Sequence, residues 1–146
     1  MSVTIMSRAD AIRYCHQPHS RKTVMISISD PYESYRTKPF TSSDNGVVSV
    51  LCLSFCDADR PGTDVYGHMV TERDLMTDAD ASRVAALVKG HPNEDVIVHC
   101  DAGISRSAGV AAAIAKFRSG DDTVIFKSYR PNMWAYRKTL NALFSV

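Results

Sequence analysis

Three short runs rich in β-branched residues, set between helical patterns, constrain this chain more than any other feature. Residues 23–29 (TVMISIS), 47–55 (VVSVLCLSF) and 95–100 (DVIVHC) each read as a strand covered on both faces. Ser7-Arg8-Ala9-Asp10 reads as a capping box that opens a helix through Cys15. Thr77-Asp78-Ala79-Asp80 does the same for a helix over 81–89, with Gly90 and then Pro92 as its stop. The Ala-rich run 106–117 (RSAGVAAAIAKF) reads as a buried helix. Asp121 or Asp122 caps a short helix to Tyr129, and Asn132 caps a last one to about Phe144. Strands alternating with helices imply an α/β fold with a central, mostly parallel sheet flanked by helices.

The length of 146 residues suits one domain over the whole span 1–146. A balance of 17 Lys+Arg against 16 Asp+Glu, net +1, lacks the electrostatic footprint of a nucleic-acid binder. No apolar stretch approaches a membrane span, and the polar opening at 1–10 does not read as a signal peptide. Cys15, Cys52, Cys56 and Cys100 lack paired spacing, which fits a reducing, cytoplasmic setting better than disulfides or a zinc site.

Residues 30–45 and 57–76 are irregular, and each follows an expected strand. Ligands of open α/β sheets bind beyond the carboxyl ends of strands, which directs attention to Cys100 at the end of the third. His99-Cys100-Asp101-Ala102-Gly103-Ile104-Ser105-Arg106-Ser107 joins that strand directly to a helix. A tight strand-to-helix turn points successive backbone N–H groups inward and makes an anion cradle. Gly103 permits positive φ and a close ligand, and Arg106 offers a planar fork for two phosphate oxygens. A thiol in this positive field ionises below its usual pKa of about 8.5, which makes Cys100 a nucleophile for phosphoryl transfer. Ser107 is placed to hydrogen-bond the sulfur, and His99 to hold the loop rather than to act as a base.

His99-Cys100, five residues, then Arg106-Ser107 resembles the signature loop of the cysteine-dependent protein tyrosine phosphatases. The flanking VIVHC and AGVAAAI segments are similar to its small dual-specificity branch, including compact microbial and viral members. The resemblance implies a protein tyrosine phosphatase-like fold and a phosphorylated protein substrate. It implies Cys100 as nucleophile, and Arg106 with the amides of 101–105 (Asp101, Ala102, Gly103, Ile104, Ser105) as the phosphate site. No metal or cofactor is implied, because loop dipoles and Arg106 supply the positive charge. A monomer acting on proteins, with neither nucleic acid nor membrane as partner, completes the expectation.

The resemblance also asks for a general acid just past the strand before the signature strand. Asp57 occupies that place, while Asp59, Asp64, Glu72 and Asp74 are other carboxylates of the same stretch. The segment 59–76 is longer than in the resembled enzymes. It is either a substrate-facing loop with Arg60, Tyr66 and His68 as contacts, or a surface turn. Arg130-Pro131-Asn132 resembles a segment in which the asparagine braces the signature loop, a role compatible with helix capping. Trp134 and Tyr136 read as packing for the last helix. Cys56 reads as a small buried residue, although relatives use backup cysteines in regulatory disulfides. The loop 30–36 is either a phosphopeptide contact or an ordinary connection. Alternatives for the whole chain are a phosphatase of phosphoinositide, nucleotide or RNA 5′-phosphate, and a catalytically silent phosphoprotein-binding module.

Overall fold

The computed structural model describes residues 2–32, 36–63 and 66–145. In chain order its strands are β1 (Val3–Met6), β2 (Thr23–Ser29), β3 (Val47–Ser54), β4 (Gly62–Thr63), β5 (Met69–Val70) and β6 (Asp95–His99). Its helices are α1 (Arg8–Cys15), α2 (Asp78–Gly90), α3 (Arg106–Ser119), α4 (Thr123–Ser128) and α5 (Met133–Phe144). Strands β1, β6, β2 and β3 form, in that order, a fully parallel sheet, which bears out the expected α/β class.

The three expected strands are present, with β3 and β6 each one residue shorter than expected; β3, expected to be covered on both faces, is an edge strand with Val48, Cys52 and Ser54 exposed. Strand β1 is an addition. Four residues, three half-buried and Thr4 exposed, are too few to show a period, and β1 exists because β6 supplies its ladder, with Val3 opposite Val96 and Met6 opposite His99. The 57–76 stretch, expected to be irregular, contains the antiparallel pair β4–β5 and a single 3₁₀ turn at Glu72–Asp74.

Local chemistry explains most helix ends. The Ser7 hydroxyl accepts the Asp10 N–H at 3.2 Å, but the Asp10 carboxylate turns to Arg13 at 2.7 Å, so only half of that capping box forms. At α2 the box is complete: Thr77 and Asp80 exchange bonds at 3.1 Å in both directions. Gly90 does not act as a left-handed stop; it lies in the last turn of α2, and the cap falls on His91. Helix α3 runs two residues past Phe117 and ends at Gly120 with φ +77°. Asp121 accepts Thr123 N–H and Oγ1–H at 2.9 and 2.6 Å at the head of α4, while Asp122 takes the Tyr136 hydroxyl at 2.6 Å.

One face of the sheet is covered by α2, α3 and α5, packed over Val24, Ile26, Ile28, Val96 and Val98. The other is covered by α1, whose Ala11 and Cys15 meet Met25, Val47 and Ile97. Every residue of β2 is buried. With a period of two, Ser27 and Ser29 share the α1 face with Met25, so that layer turns polar toward the carboxyl ends of the strands. Among the described residues no helix is long and apolar enough to cross a membrane.

Candidate active site

The site lies beyond those carboxyl ends, in the loop from Cys100 to Arg106 between β6 and α3. Gly103 has φ +73°, and a Cβ there would sit 2.7 Å from the Met6 carbonyl carbon and oxygen and 2.8 Å from Ser7 N. Only glycine fits, and the fit seats the loop on the β1–α1 junction. Arg8 N–H donates to the Asp101 carbonyl at 3.1 Å, and Asn132 N–H to the Ser105 carbonyl at 2.9 Å.

Cys100 is buried, with its sulfur 3.1 Å from Ser107 Oγ. Burial pushes the thiol pKa up. The Ser107 hydroxyl and the backbone N–H groups of Ser107, Ile104 and Gly103 together outweigh it and hold the pKa below its ordinary value. His99 is fully buried, with Nδ1 3.0 Å from the Cys100 carbonyl and Nε2 2.7 Å from Ser27 Oγ. Burial pushes its pKa down to about 4. The ring is therefore neutral near pH 7; since the carbonyl only accepts, Nδ1 carries the proton and Nε2 accepts from Ser27. His99 thus ties the end of β6 to β2 through Ser27.

Arg106 is only 6% exposed, and its guanidinium is fixed along one edge only. Nη1 donates to Asp30 Oδ1 at 2.8 Å and to the Phe55 carbonyl at 2.9 Å. Nη2 stands 3.7 Å from Asp101 Oδ2, and Nε is buried with no partner. A buried donor without an acceptor costs about 1–3 kcal/mol. The Nε–Nη2 edge has the planar spacing that can take two oxygens of one anion.

Asp57 reaches the loop from the end of β3. Its Oδ1 accepts from Ser105 Oγ at 2.9 Å and Asn132 Nδ2 at 2.8 Å; Oδ2 has no partner among the described residues. Asn132 caps its helix, but its side chain reaches Asp57 and Ala58, and only its backbone N–H touches the loop, at the Ser105 carbonyl. Its Oδ1 caps α5 through Ala135 N–H at 2.9 Å, while Nδ2 ties Asp57 and the Ala58 carbonyl. The other carboxylates are occupied elsewhere or remote: Asp59 accepts Met133 N–H at 2.8 Å, and Asp74 accepts Thr71 N–H at 2.8 Å. Glu72 lies in the 3₁₀ turn, and Asp64 falls outside the described residues.

Of the segment 59–76, His68 meets Tyr66 and Tyr32 with ring centroids 6.4 and 6.5 Å apart, which joins it to the connection after β2. Of the loop 30–36, Asp30 holds Arg106 and Arg36 stands 3.7 Å from Asp101; residues 33–35 fall outside the described residues. Trp134 Nε1 donates to the Met76 carbonyl at 2.9 Å and Tyr136 to Asp122, so both pack α5. Cys56 is buried beside Val70 and Leu75, and no disulfide joins any of the four cysteines.

Sequence reasoning passed over Asp30, Ser27 and Arg8. The signal available was the polar pair Ser27 and Ser29 in a strand buried on both faces, since buried hydroxyls need partners.

A four-stranded parallel sheet, helices on both faces and a Cys-to-Arg loop at the strand ends define the protein tyrosine phosphatase fold, and this chain has it. The structure is similar to that of human tyrosine phosphatase-like serine/threonine/tyrosine-interacting protein, with TM-score 0.57 and 18% identity over 94% of this chain and 88% of that one. It is similar to human DUSP28, with TM-score 0.57 and 15% identity over 97% and 90%. OH1 from the Orf virus, described as a tyrosine phosphatase with triple substrate specificity, aligns with TM-score 0.53 and 14% identity over 98% and 82%. By sequence, no family model and no curated protein matches. At these identities the likeness is one of fold, and the chemistry rests on the side chains.

Proposed function

We propose that this chain is a cysteine-dependent phosphatase that hydrolyses phosphomonoesters, with phosphotyrosine in proteins as its main substrate and phosphoserine/threonine within its range. The Cys100 thiolate attacks phosphorus while the loop amides of 101–105 and Arg106 hold the equatorial oxygens. The bond to the leaving oxygen breaks as Asp57 gives it a proton. The Asp57 carboxylate then takes a proton from water, whose oxygen attacks the phosphocysteine. The S–P bond breaks, Ser107 hydrogen-bonds the departing thiolate, and inorganic phosphate leaves.

The observation that carries this reading is the pairing in one loop of a buried thiol held toward its ionised form with an unpartnered buried Arg106 Nε. A phosphoryl group answers both needs at once. The fold alone does not separate an enzyme from a binding module; the presence of Cys100, Arg106 and Asp57 together favours the enzyme. Protein over phosphoinositide is favoured by the loop's variable positions, Asp101, Ala102, Ile104 and Ser105, which offer a polyanionic head group a carboxylate and no lysine.

The test compares kcat/KM for phosphotyrosine, phosphoserine/threonine and phosphoinositide substrates in the parent and in Cys100→Ser. Phosphotyrosine turnover that is lost in Cys100→Ser is expected. Full turnover by Cys100→Ser would end the mechanism, and a preference for the lipid would overturn the substrate class.

A further inference from the structure

The β6–α3 loop carries an anion of its own. Asp101 is the first residue after Cys100, and burial pushes its carboxyl pKa up. The hydrogen bond and charge of Arg8, followed by Arg36 and Arg106, outweigh this and hold it below the ordinary range. A carboxylate at this place is a hazard to a phosphate site. It repels a dianionic ligand. Its Oδ2 also stands only 3.7 Å from Arg106 Nη2, close enough for a small side-chain rotation to bring it onto the fork left open for substrate.

Arg8 prevents both. It is the first residue of α1 and only 8% exposed, and each guanidinium nitrogen is committed. Nε donates to Asp101 Oδ1 at 3.0 Å, Nη1 to the Thr37 carbonyl at 3.0 Å and Nη2 to Ser29 Oγ at 2.9 Å. Its backbone N–H also holds the Asp101 carbonyl. Three chain segments thus fix one cation, and that cation grips the oxygen of Asp101 opposite the one nearest Arg106. Arg36, at 3.7 Å from the same Oδ1, adds charge without that geometry.

We propose that Arg8 is a positioning residue that draws Asp101 away from Arg106 and neutralises it, so that the Nε–Nη2 edge of Arg106 stays open to the phosphoryl group. This rests on the phosphatase reading above. Its signature lies in binding: loss of Arg8 weakens phosphate affinity and raises KM, while the bond-breaking steps at Cys100 are little affected. Removing the Asp101 charge as well makes Arg8 dispensable for binding. A purely structural Arg8 has no such rescue.

The experiment measures inorganic phosphate binding by calorimetry, and KM and kcat for p-nitrophenyl phosphate, in four proteins: parent, Arg8→Gln, Asp101→Asn and the double variant. Arg8→Gln is expected to weaken phosphate binding and raise KM by about tenfold or more, with kcat within about threefold. In the Asp101→Asn background the same Arg8→Gln change is expected to move neither phosphate binding nor KM by more than about threefold. Should Arg8→Gln fail to fold, Arg8→Lys with and without Asp101→Asn replaces it, since a point charge reaches only one of the three acceptors and leaves Asp101 loosely held. An Arg8→Gln change that weakens phosphate binding as much in the Asp101→Asn background as in the parent overturns the proposal even where the parent shows Cys100-dependent turnover. A parent that neither binds phosphate nor hydrolyses the ester overturns the phosphatase reading along with it.

Discussion

Replacing Ser107 with alanine isolates one contribution to the Cys100 thiolate. The hydroxyl lies 3.1 Å from the sulfur, and Ser107 is fully buried, so no water can take its place. A hydrogen bond to a charged group is worth about 1.5–3 kcal/mol. The bond favours the thiolate, so its loss destabilises the ionised form by about that energy and raises the Cys100 pKa. Alanine suits the second residue of the Ala-rich helix α3, so the fold should bear the change. The assay is the pH dependence of alkylation by iodoacetate, a small anion suited to the cradle, followed by mass spectrometry of the Cys100 peptide. Exposed Cys52 on β3 serves as internal reference. The Cys100 midpoint is expected to move up while that of Cys52 stays. A Cys100 midpoint that stays or falls would refute the reasoning and assign the stabilisation to the loop amides alone.

Asp57→Asn removes the proposed proton donor while keeping a similar shape. Turnover of phosphotyrosine should fall by about a hundredfold or more, and turnover of an aryl phosphate with a very acidic phenol by much less; equal losses would argue against Asp57 as the acid. Gly109→Ala sets helix propensity, worth about 1 kcal/mol in its favour, against a Cβ that would collide with the Asn132 carbonyl oxygen where α3 meets α5. The clash is with backbone, so a lower melting temperature is expected, and a higher one would show that α5 yields. His99 is neutral in the fold down to about pH 4, against about 6.5 when unfolded, so between these values the unfolded chain binds the extra proton. Stability is therefore lost as pH falls through that window, by about 3 kcal/mol from this residue. Urea melts of the parent and His99→Gln should differ in slope against pH by up to about one proton there; parallel slopes would remove His99 from the account.

What was legible in the sequence was local. Strands β2, β3 and β6 are short runs rich in β-branched residues, and the loop from His99 to Ser107 carries its thiol, turn glycine and arginine within one short segment. Asp57 was legible only through its place after a strand, and the contact that singles it out from Asp59 comes from Ser105 and Asn132 in distant segments. Strand β1 and Arg8 were not legible, because neither has a local signature: β1 is made by its partner strand, and Arg8 looks like any helix-start residue. Gly90 misled because a glycine near a helix end is read as a left-handed stop, whereas here His91 ends α2 without one.

This division follows from electrostatics. The loop sequence is not itself strongly cationic: it presents one arginine, one aspartate and one thiol whose pKa is held below its ordinary value. Amide dipoles reach only across a few ångströms, so they can gather around the sulfur from within the loop. The orientation of Arg106 and the disposal of the Asp101 charge need full charges, and a nine-residue segment has no room for more of them. They come instead from Asp30 after β2 and Arg8 after β1, both delivered to one place because a parallel sheet ends all its strands on the same side. The chain's near-neutral balance thus coexists with a strong local field, since that field is made by arrangement of a few paired charges and not by an excess of them.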